Sequence, residues 1–140
     1  MGVFYMNQKD YELFINELPN VEHEENFGYS FFFVGNEHKL PFVSFADSDN
    51  EYDNVSNLDR NEIFRINIGV SKDSFNNLVN NQTNNIDYTI TNTFLPHPHY
   101  SSQNYICILN PKNENIQKTK EFIKEAHLIA SKRFEKKRKK

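Results

Sequence analysis

The residues of this chain whose types can do chemistry fall in two stretches. Residues 94–111, FLPHPHYSSQNYICILNP, carry His97, His99, Tyr100 and the single cysteine, Cys107, and residues 62–75, EIFRINIGVSKDSF, carry Arg65 and Asn67. On a strand, an H-x-H pair would put both imidazoles on one side, as a metal requires. Pro96 and Pro98 favour instead a backbone with a threefold repeat, and no HExxH or cysteine-rich third ligand accompanies the pair. The reading is a turn whose histidines satisfy neighbouring backbone groups, then a non-metal ligand pocket, with a metal last.

Arg65 alternates with Phe64 and Ile66, so it projects from the polar face of a strand, with Asn67 emerging on the same face. Its guanidinium can hold a carboxylate or phosphate bidentately. An internal salt bridge to an acid from 47–59, or to Glu62, is the equal alternative. The expected ligand site is therefore Arg65 as anion contact, Asn67 and Tyr100 as hydrogen-bonding groups, and His97 as a donor that titrates near neutrality. No catalytic residue is assigned. His97 as an acid or base lacks a nucleophile, a paired carboxylate or a cofactor motif, and no metal or cofactor is expected. Cys107 alternates with Ile106 and Ile108 and reads as core.

The acidic run 47–61, DSDNEYDNVSNLDRN, has Tyr52 where a calcium loop needs Gly and Leu58 where it needs Glu. It reads as a charged loop, anchored by Leu58 and Tyr52 and tied down by Arg60. His23, His38 and His127 read as surface or helix-side residues.

The elements that must position these groups follow from pattern. A helix starts at Asn7, carries Tyr11, Phe14, Ile15 and Leu18 on one face, and stops at Pro19. Residues 22–26 read as a polar connection. Strands are expected at 29–34, 41–46, 62–68 and 104–109; in 87–95 Tyr88 and Ile90 turn inward, and the segment is either irregular or a short edge element, with an additional strand around 87–91 as one alternative. Ser71 caps a short helix, 80–85 is a polar loop, and a closing helix spans 114–134. The fold class is α+β, a compact antiparallel β-sheet packed with helices.

At 140 residues the chain is sized for one domain, 1–131, followed by a basic tail, 132–140. The tail carries net +6 and leaves −9 for the rest, a field that repels nucleic acid outside a local patch. The tail itself reads first as a solvated helix end. Thirteen Phe and seven Tyr supply large buried areas, and 21 Asn fall largely in connections, where the side chain stabilises turns. No leader pattern and no apolar stretch approaching roughly 18 residues occurs, so a cytoplasmic protein without a transmembrane segment is expected. The function expected first is noncatalytic binding of a small polar or anionic ligand. A nucleic-acid or protein interaction module comes second and an enzyme third.

Two runs carry a family resemblance. Asn57-Leu58-Asp59-Arg60 followed by residues 63–71, IFRINIGVS, and residues 95–100, LPHPHY, followed by Ile108-Leu109-Asn110-Pro111, resemble the two signatures of an uncharacterised bacterial family, the domain of unknown function numbered 6194. His99 departs from the apolar residue usual at its position. The resemblance covers nearly the whole chain before the tail. It implies a distant likeness to MmcQ/YjbR-like α+β domains, some of which have been proposed to bind nucleic acid, and it makes Arg65, Asn67, His97 and Tyr100 signature positions without assigning a reaction.

Overall fold

The computed structural model describes residues 4–26, 28–79 and 85–138. Helix α1 spans Gln8–Asn16, α2 Lys72–Val79 and α3 Glu114–Arg138, and the strands are β1 Val21–Asn26, β2 Tyr29–Val34, β3 Val43–Ala46, β4 Arg65–Gly69, β5 Leu95–Pro96 and β6 Tyr105–Leu109. They form one six-stranded sheet in the order β1-β2-β3-β4-β6-β5, every pairing antiparallel. The four strands expected from the sequence are β2, β3, β4 and β6.

Helix α1 begins where expected. The Asn7 side chain accepts from the Asp10 N–H while Asp10 accepts from the Asn7 N–H, a reciprocal cap that satisfies two of the orphan donors of the first turn. Ser71 caps α2 by accepting from the Ser74 N–H at 3.1 Å, and Glu125 on α3 accepts from the Ser71 N–H and the Ser74 hydroxyl. Helix α3 runs four residues beyond the expected end. Near that end the Phe134 ring lies against Gly35, where a Cβ would come within 2.3 Å of it.

Period-2 alternation gives the sheet two faces of different character. Phe32, Val43, Ile68 and Ile106 align across four strands and, with Phe45, Ile66 and Ile108, meet Tyr11 and Ile15 of α1, Val79 of α2, and Ile123, Ala126 and Ala130 of α3. That is the core. The opposite face carries Phe31, Ser44, Asn67, Cys107 and Leu95 in one cross-strand row and Tyr29, Ala46, Arg65 and Leu109 in the next. Leu58, from the loop joining β3 to β4, packs on Ala46 and Leu109 and closes one end of this second face.

Three expectations require correction. Residues 22–26 are not a connection but the body of β1, paired with β2 from Val21↔Val34 to Asn26↔Tyr29. An edge strand needs backbone partners on one side only, and its charged residues discourage pairing with another chain, so apolar alternation is absent. Residues 87–91 take the irregular alternative, and Ile90 is exposed rather than turned inward. The edge position beside β6 is taken instead by Leu95–Pro96, whose proline is tolerated there. Tyr52 is 82% exposed and does not anchor its loop, whereas Leu58 does. The expected loop 80–85 lies, apart from Asn85, outside the described residues.

Candidate functional site

Arg65 is fully buried although it sits at the start of a central strand. Its two terminal nitrogens donate to the two carboxylate oxygens of Asp53, Nη1 also donates to the Ser56 hydroxyl at 3.0 Å, and Nε donates to Asn67 Oδ1 at 2.9 Å. Four of the five guanidinium N–H groups are thereby engaged within the protein. Burial alone would raise the Asp53 pKa, but the hydrogen bonds and charge of Arg65 outweigh it and hold the carboxyl below its ordinary range. This is the internal salt bridge weighed against a ligand contact, made with an acid from the expected loop.

Arg65 also orients Asn67. A guanidinium only donates, so the amide must turn Oδ1 toward it and Nδ2 away, and Nδ2 donates to the Ser44 hydroxyl at 3.1 Å. The chain Asp53, Arg65, Asn67, Ser44 thus runs across β4 and β3 on the second face.

His97 follows β5 and is 5% exposed. Its backbone N–H still pairs with the Tyr105 carbonyl, and its Nδ1 accepts from the N–H groups of His99 and Tyr100 at 3.0 and 3.1 Å. The turn reading is therefore met, and the ring proton belongs on Nε2. Burial, followed by the charge of Arg65, pushes its pKa down to about 3. The imidazole is neutral near pH 7, which corrects the expectation that it titrates there. His99 is exposed, with its ring centroid 6.0 Å from that of His97.

Asn67, His97 and Tyr100 line one open groove of about 690 Å³, together with Ser44, Tyr29, Phe31, Asp53 and Tyr105. Arg65 lies beneath it, joined through Asp53 and Asn67. Tyr100 stands 5.0 Å from the His97 ring, and Tyr29 stacks on Phe31 at 5.5 Å. Tyr105 crosses Gly69, where a Cβ would come within 2.9 Å of the ring, and its hydroxyl donates to the Pro41 carbonyl at 2.6 Å. Gly69 is needed here for space. Ser44, Tyr29 and Tyr105 were not singled out from sequence, although Ser44 has the parity opposite to Val43 and Phe45 and Tyr105 shares that of Cys107.

The remaining candidates behave as structure. Cys107 is buried, its thiol pushed up to about 12 by that burial. Arg60 donates to the carbonyls of Ser56, Asn57 and Thr89, tying the loop down as expected. His38 stacks on Phe33 and meets Glu22 and Glu24. Glu12, His23 and Glu25 bring one ligand atom each within 4.8 Å of the others, an arrangement whose Glu12 and Glu25 come from segments not expected to meet. His97 and His99 belong to no such group among the described residues. At the end of α3, Lys137 pairs with Glu37 and Arg138 with Glu135. Among the described residues no helix is long and apolar enough to cross a membrane.

No curated protein and no solved structure matches the chain significantly. A family model does match, over residues 6–139, and the chain belongs to that family of unknown function, DUF6194.

Proposed function

We propose that this chain is a noncatalytic binding domain whose small polar ligand occupies the groove over β3, β4 and the His97 turn. The observation that carries the reading is His97: a buried imidazole whose Nδ1 is committed to its own turn and whose Nε2–H has no hydrogen-bond partner among the described residues. His97 lines a groove of ligand size, and its Nε2–H, which solvent reaches, is free to donate to an acceptor that a ligand brings there. Asn67 and Tyr100 add hydrogen-bonding capacity beside it. Arg65, fully buried beneath the groove, serves as the support that fixes Asp53 and Asn67.

A general acid or base works best with a pKa near the operating pH, and a histidine held at about 3 is far from that condition. A buried free thiol suits a cytoplasmic setting, and the antiparallel sheet with its helices on one face supports a distant kinship with MmcQ/YjbR-like domains. The test is a metabolite-library screen of the full chain by amide NMR. Binding compounds should move resonances of Ser44, Asn67 and Tyr100. A library whose every binder maps to other surfaces would remove the proposal.

A further inference from the structure

We infer that the groove takes the acceptor-bearing edge of a flat, uncharged oxo-heterocycle, laid against its tyrosine and histidine rings. This rests on the groove being the binding site and goes further, to the chemical class of ligand.

Hydrogen-bond capacity left on the groove floor is the first argument. His97 offers Nε2–H, since both backbone contacts to Nδ1 are donors. Asn67 has spent Oδ1 on Arg65 and one Nδ2 hydrogen on Ser44, so it retains a single N–H. The Ser44 hydroxyl accepts from Asn67 and keeps its own proton to give. Three donors therefore remain. On the floor itself the acceptors are committed, Asp53 to Arg65 and to the Tyr29 hydroxyl and the Tyr29 oxygen to Asn50, whereas the exposed Tyr52, His99, Tyr100 and Gln103 at the edge of the groove can both give and accept. A ligand satisfying this floor brings carbonyl oxygens or bare ring nitrogens.

Charge is the second argument. The Asp53 carboxylate lining the groove is compensated by Arg65 beneath it. Lys39, at the rim, is 82% exposed and 3.9 Å from Glu37. Such a lining offers an anion no desolvated cation, and exposed lysine contacts are worth little. Shape is the third. Tyr29, Phe31, Tyr52, Tyr100 and Tyr105 and the two histidines give the groove aromatic walls, with Tyr52 and Tyr100 largely free at the surface. Ring faces of this kind select flat partners by stacking.

The experiment is an amide NMR titration of the full chain with lumazine and uracil as flat oxo-heterocycles, indole as a flat ring without an acceptor, and inorganic phosphate and citrate as anions. Lumazine or uracil should saturate shifts at Ser44, Asn67 and Tyr100. Ser44→Ala should weaken that binding severalfold and His97→Phe at least tenfold. Ser44→Ala keeps the His97 turn intact, so the measurement stands even where His97→Phe disturbs folding. Indole binding as tightly as lumazine, or wild-type affinity in a folded Ser44→Ala and a folded His97→Phe, overturns the inference. So does phosphate or citrate occupying the groove where the oxo-heterocycles do not, a result that leaves the groove itself standing as a binding site. Failure of both oxo-heterocycles to shift the groove resonances also overturns the inference, whereas the groove reading falls only to the library screen.

Discussion

The two faces of the sheet are built from the same strands and held by different physics. On the helix-covered face, Phe32, Val43, Ile68 and Ile106 are buried against three helices, and the stabilisation is apolar area that tolerates many partners. On the open face, Arg65 and Asn67 occupy alternate positions of β4, and each is satisfied by specific groups: Asp53, Ser56 and Ser44. One face is defined by a period and the other by partners. An apolar substitution should act alone, whereas a change within the polar chain should be rescued or worsened by its neighbours.

The largest effects separate the two directly. Phe64 is 6% exposed and packs near Tyr11 and Phe45, so Phe64→Ala should cost about 3–5 kcal/mol through transfer and cavity terms. Arg65→Met should cost a similar amount, about 3–5 kcal/mol, for a different reason: Asp53 is left buried without its cation. Adding Asp53→Leu to Arg65→Met should then recover much of the loss, since an ion pair replaced whole by apolar groups is often near neutral. Urea unfolding of the set measures this. A double variant as damaged as the sum of its singles would show that the ion pair is not an isolated unit.

Acid should divide the faces next. His97 is neutral in the fold down to about pH 3, whereas an unfolded histidine takes its proton near 6.5. Below 6.5 the unfolded chain binds more protons, so stability falls as pH drops, by about 3 kcal/mol between pH 7 and pH 4. Asp53 acts in the same sense: its pKa is lowered on folding, so its contribution is present above the ordinary carboxylate range and is lost as pH falls through its folded value. His38 has the opposite sign, its pKa raised first by Glu24, so its contribution is present below the ordinary histidine value and fades as pH rises through the folded one. Unfolding curves at pH 7, 5 and 4 should steepen in cost toward acid for the parent and flatten for His97→Phe. The penalty of Phe64→Ala should stay constant with pH.

The same division explains what was legible in the sequence. The covered face was readable because the aromatic density of β2, its turn to a hairpin partner in β3, the alternation in β4 and β6 and the stripe on α1 are local signals. The caps at Asn7 and Ser71 were equally local. The abundance of Asn also had a structural use. Seven of the eight described non-glycine residues with positive φ are Asn, the residue type that tolerates the left-handed region at turns. β1 was invisible because its sequence, VEHEEN, carries no apolar period and its pairing is supplied by β2. On the open face the residue types were right, but the role of Arg65 turned on Asp53, twelve positions away and one of several acids in its loop. Likewise, the pKa of His97 depends on burial and on the Arg65 charge, neither of which an LPHPHY motif displays.

The smallest effect lies on the covered face and has the opposite sign. Tyr11 is fully buried in the core, and its hydroxyl is a buried polar atom with no hydrogen-bond partner among the described residues. The open face, by contrast, pairs its buried Arg65 and Asn67. A buried hydroxyl left unpaired costs roughly 1–3 kcal/mol, and phenylalanine keeps the ring while removing the atom responsible. Tyr11→Phe should therefore raise stability by about 1 kcal/mol, seen as a higher denaturant midpoint at unchanged slope. Because the ring still faces Phe64, the gain should persist at every pH from 4 to 7. A loss of 1 kcal/mol or more would mean that the hydroxyl has a partner and that the covered face, too, depends on a specific polar contact.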